Sequence, residues 1–123
     1  MQIERVEIQV IGSETERYTW SDDLPEQYQS NTLLRVYTDA GLEGIAGIWN
    51  ATSFGYDRYT AESLRHLVPI LIGRDPCERE SILHDLRPRV FPQPPGALAV
   101  IDIALWDIMG KIQDKPIHQL LGG

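Results

Sequence analysis

The sequence predicts an α+β fold: a three-stranded antiparallel β-meander followed by a small helical bundle. Three observations carry that prediction. Up to Trp49, apolar and polar residues alternate with the two-residue period of half-buried strands. After Asn50 the apolar residues recur at three- and four-residue spacing, the period of helices. The third is the stretch from Ala97 to Ile112, a helix apolar nearly all the way round, with Leu98, Ile101, Leu105, Ile108 and Ile112 on one side and Val100, Ile103 and Trp106 on others. A surface helix normally shows one apolar stripe. This one is therefore expected to pack from several directions, partly against something beyond Gly123.

Taken in order, Ile3 to Ile11 reads as a strand with Val6, Ile8 and Val10 on one face and Arg5, Glu7 and Gln9 on the other. Gly12 to Ser30 is a polar connection bearing Tyr18, Trp20, Asp22, Asp23 and Pro25. It is too long for a tight turn and of a length often reserved for function. Asn31 to Thr38 and Gly44 to Trp49 are two further strands, joined through Gly41, which supplies the positive φ of a hairpin connection. Asn50 to Tyr56 reads as a loop. Tyr59 to Ile72 is a helix carrying Leu64, Leu67, Val68 and Leu71, kinked or cut short at Pro69 and terminated by Gly73. Asp75 and Pro76 are a helix start, with Glu78 placed to bond back, and that helix carries Ile82, Leu83 and Leu86 as far as Pro88. Residues 92–96, rich in proline, make a stiff link into the terminal helix.

At 123 residues the chain is one domain, and 42% hydrophobic with 24% charged residues is ordinary for a globular protein. A net charge of −7 argues against a nucleic-acid partner, which requires clustered Lys and Arg, and against anionic membrane surfaces. No apolar run approaches the ~20 residues of a membrane span, and the N-terminus lacks a signal segment. The single cysteine, Cys77, excludes an internal disulfide and fits a cytoplasmic protein. Its place in a first helical turn could favour a thiolate, although no acid, base or second thiol is implied beside it.

Isolated candidates for chemistry do not assemble. Asp102 and Asp107 tempt a metal reading, but five residues place them roughly 140° apart around a helix. Asp107 and Lys111 form an i,i+4 pair, and both acids read as anchors of the helix. Asp22, Asp23 and Glu26 read as a solvated face. His66, His84 and His118 lack a second ligand at a useful spacing. Ser53 lacks the setting of an activated nucleophile. Gly41, Gly44 and Gly47 precede no helix and read as hairpin glycines.

The residues Ile101-Asp102, Ala104-Leu105, Asp107-Ile108, Gly110-Lys111, Pro116-Ile117 and Leu120-Leu121-Gly122 closely resemble the N-terminal signature of the mandelate racemase/muconate lactonizing group of the enolase superfamily. Thr38 to Gly44 and Ile72 to Pro76 resemble that group as well. Val100 departs from it, standing where the group usually has a small residue, which implies slightly looser packing.

The resemblance implies that residues 1–123 are a capping domain, an enolase N-terminal-like fold without the (β/α) barrel. In such enzymes a Lys or His base abstracts a proton α to a carboxylate while Mg²⁺ stabilises the enediolate, at the C-terminal ends of the barrel strands. It implies that this chain holds no catalytic residue and no metal ligand, with Mg²⁺ belonging to the full-length enzyme. The implied partners are the barrel, on the same or a separate chain, a small carboxylate substrate and further copies in a homo-oligomer. The reactions it admits are racemisation, sugar-acid dehydration and cycloisomerisation. By resemblance, the loops after the first and third strands close over substrate. They carry Tyr18 and Trp20 in one, and Asn50, Thr52, Ser53, Phe54 and Tyr56 in the other, as candidate substrate contacts. Trp49, at a strand end, is expected to fill the core instead. The alternative reading is a stand-alone, non-catalytic binding or assembly module.

Overall fold

A computed structural model describes residues 1–18, 27–52, 59–90 and 96–123, and for residues 13–18, 27–30, 50–52 and 59 it describes the backbone only. Three strands, β1 (Ile3–Tyr18), β2 (Gln27–Thr38) and β3 (Glu43–Thr52), form one antiparallel sheet in chain order. Four helices follow: α1 (Tyr59–Leu71), α2 (Arg79–Val90), α3 (Gly96–Gln113) and the single turn α4 (Ile117–Leu120). The predicted meander-then-bundle is the observed order.

Alternation sets the two faces of the sheet. Ile3, Thr32, Leu34, Val36, Thr38 and Ala46 are buried on the inner face, where the helices pack. Val6 and Ile8 are half-buried, and Val10 is 43% exposed because the helical cover thins toward that end. The β2–β3 turn has the expected chemistry: Gly41 sits at φ 78°, its N–H donating to the Thr38 carbonyl at 3.0 Å.

The strands run further than predicted. Gly12 to Tyr18 and Gln27 to Ser30 belong to the β1–β2 hairpin, not to a loop, and β3 continues past Trp49 to Thr52. These extensions hold few aliphatic residues, so no apolar alternation announces them, and backbone pairing holds them instead. Between Gly12 and Arg17, β1 advances five positions against two on β2, a large bulge that re-aims the end of the hairpin. Trp49 corrects the core assignment. It lies on the outer face with Ile45 and Gly47 and is 48% exposed, because burial in β3 falls on the alternate set Gly44 and Ala46.

The helices begin and end as their punctuation directs, with two adjustments. Pro69 and Pro88 both sit inside helices, which run on to Leu71 and Val90. Each lies in a last turn, so the bond to the preceding turn that its missing N–H removes is lost at the fraying end of the helix and not in its interior. Gly73, at φ 80°, ends the first connection and donates its N–H to the Ile3 carbonyl at 2.8 Å, tying α1 to the start of β1. Asp75 caps a short 3₁₀ turn, Pro76–Glu78, by accepting the Cys77 N–H at 2.9 Å, and α2 follows directly.

α3 runs antiparallel along β3 and is the spine of the core. Val100, Ile101, Ala104, Leu105 and Ile108 are all buried, with Leu64, Leu67 and Leu71 from α1 and Ile82 and Leu86 from α2 completing the cluster. Val100 is 1% exposed, so its extra bulk is fully packed. Gly44 permits the close approach of helix and strand: a Cβ there would stand 2.3 Å from the Ala104 carbonyl oxygen. The opposite side of α3 is open, with Ile103 50% exposed and Trp106 and Met109 half-buried.

Candidate functional site

The strand register gathers the candidate positions at one end of the sheet. Tyr18 ends β1 opposite Gln27; one step inward, Tyr28 pairs with Arg17 on one side and Thr52 on the other. Ser30, the next alternate position on β2, pairs with Gly12 and Asn50. Tyr18, Asn50 and Thr52 therefore lie at one end of the sheet, Asn50 and Thr52 in register with Ser30 and Tyr28 and Tyr18 one position out of step with them. Trp20, Ser53, Phe54 and Tyr56 lie outside the described residues, as do Asp22, Asp23 and Glu26.

Reading 12–30 as a loop missed Arg17 and Tyr28, which form one row with Thr52 across all three strands, a step inward of Tyr18. The available signal was the Gln27-Tyr28-Gln29 alternation, with tyrosine a favoured strand residue. Four to six register positions further along the sheet, between β1 and α1, lies a shallow open concavity of about 280 Å³ floored by Ile8, Val10 and Ala61 and edged by Glu62 and Arg65. Small-molecule pockets usually enclose roughly 300–1,000 Å³ and bury most of the ligand. This concavity is thus a wall and not an enclosed pocket.

The acids of α3 are engaged structurally, as their spacing suggested. Asp107 Oδ2 accepts the Ile45 backbone N–H at 2.9 Å and the Lys111 ammonium at 2.7 Å, and Lys111 also donates to the Glu43 carbonyl at 2.7 Å. Asp102 takes a two-pronged bond from Arg79, through Nε and through Nη2 at 3.2 Å. The Arg79 guanidinium also lies 4.7 Å from the centre of the Trp106 ring. Hydrogen bonding to Asp102 is the largest influence holding that guanidinium in its charged form.

Among the described residues, no three of His, Cys, Asp and Glu gather to hold a metal ion. His66, His84 and His118 are exposed and apart. Cys77 is exposed and fits an incidental cysteine: desolvation, and then the negative charge of Asp75, push its thiol above the ordinary value, away from the thiolate. A thiol so placed is a poor nucleophile.

A three-stranded antiparallel meander carrying a helical bundle, with the acids of α3 engaged in scaffold contacts, defines an enolase N-terminal-like domain. Residues 24–122 match the sequence profile of the mandelate racemase/muconate lactonizing enzyme N-terminal domain, and the chain belongs to that family. The fold agrees. A Pseudovibrio structure classed with the mandelate racemase/muconate lactonizing enzymes superposes with a TM-score of 0.90 at 35% identity, over 99% of this chain and 33% of that one. The L-talarate dehydratase of Polaromonas sp. JS666, solved with Mg and L-glucarate, shares the fold at TM-score 0.80 and 18% identity, over 98% of this chain and 35% of that one.

Among curated proteins, the D-galactonate dehydratase family member RspA of Cellvibrio japonicus is 41% identical over 95 residues, covering 73% of this chain and 23% of its own length. The cis-3-hydroxy-L-proline dehydratase of Roseibium aggregatum is 34% identical over 110 residues, covering 87% and 30% respectively. The chain thus spans less than a third of these two relatives. No described helix is long and apolar enough to cross a membrane.

Proposed function

We propose that this chain is the capping, specificity-setting domain of an enolase-type enzyme that abstracts a proton α to a carboxylate, with sugar-acid dehydration the favoured reaction. One observation carries the reading: the register that brings Tyr18, Tyr28, Asn50 and Thr52 to one end of the sheet. A sheet end carrying aromatic and hydrogen-bonding residues suits a polyhydroxy carboxylate, and the dehydratase relatives support that substrate class. The cap's work is to orient substrate and exclude water, which strengthens electrostatic stabilisation in the closed site.

The Mg²⁺ of such enzymes supplies charge stabilisation to the enediolate. The described acids do not suit it, because Asp102 is taken by Arg79 and Asp107 by Ile45 and Lys111, so metal binding falls to the barrel. The open side of α3, with Ile103, Trp106 and Met109, is a natural seat for that barrel. The chain alone is inactive on this reading, and the enzyme is a cytoplasmic homo-oligomer.

The test is Trp20→Ala and Thr52→Ala in the enzyme that joins this chain to its barrel, assayed across a panel of sugar acids. Altered ratios of kcat/KM between substrates support the cap's role; unchanged kinetics on every accepted substrate overturn it. A parallel assay follows Mg²⁺-dependent α-proton exchange into deuterium oxide by the 123-residue chain alone, where robust exchange would contradict the inactive-chain reading.

A further inference from the structure

α3 and β3 approach each other through two glycines, one on each element, and the two contacts differ in kind. At Gly44 a Cβ would stand 2.3 Å from the Ala104 carbonyl oxygen, so backbone faces backbone. At Gly96, the first residue of α3, the described atom in the way is Ile48 Cδ1, 2.7 Å from where a Cβ would stand. Ordinary carbon–carbon contacts lie at about 3.5–4.0 Å, so a side chain at 96 would intrude by about 1 Å. The backbone does not ask for glycine there: Gly96 is helical and its φ is not positive. Alanine is the better helix former. What glycine provides is closeness, with the start of α3 seated on the side chain of Ile48.

The contacts at Ala104 and Gly96 are eight residues apart on α3, and those at Gly44 and Ile48 four apart on β3. At about 1.5 Å per helix residue and about 3.3 Å per strand residue, both spans come to about 12–13 Å, so helix and strand keep pace and are held together at both contacts. Because α3 begins at Gly96 and runs antiparallel to β3, its cover of the strand stops at Ile48. Asn50 and Thr52 follow two and four residues further along β3, paired with Ser30 and Tyr28. Ile48 is half-buried, packs against the core cluster and, being β-branched, is stiff at χ1. It is the point from which the end of β3 leaves the helical layer.

We propose that Gly96 is a positioning residue for substrate selection: by seating α3 on Ile48, it sets where the end of β3, with Asn50 and Thr52, stands against substrate. The proposal rests on the capping reading above. Gly96 touches no substrate itself and acts through Ile48. The Gly44 contact is fixed by backbone, whereas this one is adjustable by a single methyl group. Ile48→Val removes the Cδ1 atom that a Cβ at 96 would strike.

Gly96→Ala, Ile48→Val and the double variant, in the enzyme that joins this chain to its barrel, test it, with Thr52→Ala alongside. Gly96→Ala is expected to change the ratio of kcat/KM between sugar acids by about threefold to tenfold, a part of the roughly hundredfold that a misplacement of about 1 Å can cost, and to act through KM with kcat little changed. The double variant should return the ratio to near that of Ile48→Val alone. In the 123-residue chain, the backbone amide resonances of Asn50 and Thr52 should move in Gly96→Ala and return in the double variant, while that of Glu43, at the far end of β3, stays in place. Unmoved Asn50 and Thr52 amides would mean that the Ile48 methyl turns aside, and would overturn the proposal. An unchanged ratio in Gly96→Ala, where Thr52→Ala shifts its own, overturns it too and leaves the capping role standing. Ratios unchanged in both take the capping reading down with it. Activity lost in Gly96→Ala and not recovered with Ile48→Val assigns Gly96 to the scaffold and overturns its positioning role.

Discussion

Asp107 and Ile45, sixty-two residues apart in sequence, are joined by a 2.9 Å hydrogen bond from the Ile45 backbone N–H to the aspartate Oδ2. β3 is an edge strand, and such strands leave a row of backbone donors unpaired. Here the edge is closed by a helix side chain, and Lys111 bonds both the same carboxylate oxygen and the neighbouring Glu43 carbonyl. One turn of α3 therefore satisfies a donor and an acceptor of β3 and fixes the register of helix against sheet.

Asp107→Ala is expected to destabilise the chain by about 0.5–1.5 kcal/mol, the net worth of a hydrogen bond whose exposed donor water can reach. Asp107→Asn keeps an acceptor for Ile45 while weakening the bond to Lys111, and should lose less. Urea denaturation of the three proteins checks the order. Equal midpoints for all three would show that the closed edge contributes nothing.

Gly44 is the second point at which α3 meets β3. A methyl group 2.3 Å from a backbone carbonyl cannot be absorbed by a rotamer change, so Gly44→Ala must push the helix away from the sheet. Overpacking of this kind typically costs about 1–3 kcal/mol, and more where backbone must move. Gly12→Ala is the control, because a Cβ there meets no described atom within 4 Å. The thermal midpoint should fall sharply for Gly44→Ala and hardly at all for Gly12→Ala; matching midpoints would contradict the close approach.

How much of this was legible in the sequence follows from what each signal encodes. Hydrophobic period identified every major element, since Leu34, Val36, Leu64, Leu67, Ile101 and Leu105 owe their burial to that periodicity. Asp107 was readable as an anchor from its place on an apolar helix, although its partner was not, because a backbone N–H leaves no mark on composition. The hairpin from Gly12 to Ser30 was misread because strands held by backbone pairing beyond the helical layer need no aliphatic alternation. Trp49 was misplaced for a related reason: large apolar residues are usually buried, and only the neighbouring Gly44 and Ala46, small inward-facing residues beneath a helix, fix the parity of β3. The site was legible as positions along the chain, while the row that joins Arg17, Tyr28 and Thr52 required the register.

The last prediction concerns pH. Arg74 lies in the turn between α1 and α2, bonding Asp85 at 2.7 Å and Ser81 at 3.0 Å, while its backbone carbonyl receives the Ile3 N–H at 2.8 Å. The bond from Arg74 is the largest influence on the Asp85 carboxyl and holds it below the ordinary carboxylate value against the opposing effect of burial, the charges of Arg74, His84 and Arg89 adding lesser help. A group whose value is lowered in the folded chain binds protons more readily when unfolded, so stability rises with pH across the interval between the two values. The Asp85 contribution is therefore complete above about pH 4, the ordinary aspartate value, and disappears as pH falls through the lower folded-state value. Wild type should exceed Asp85→Asn in urea midpoint at neutral pH, with the gap closing as the solution is acidified and shrinking in high salt, as expected of an exposed pair. A gap that stays constant from neutral to strongly acidic pH would show that the Asp85 charge is not what ties α2 to this turn.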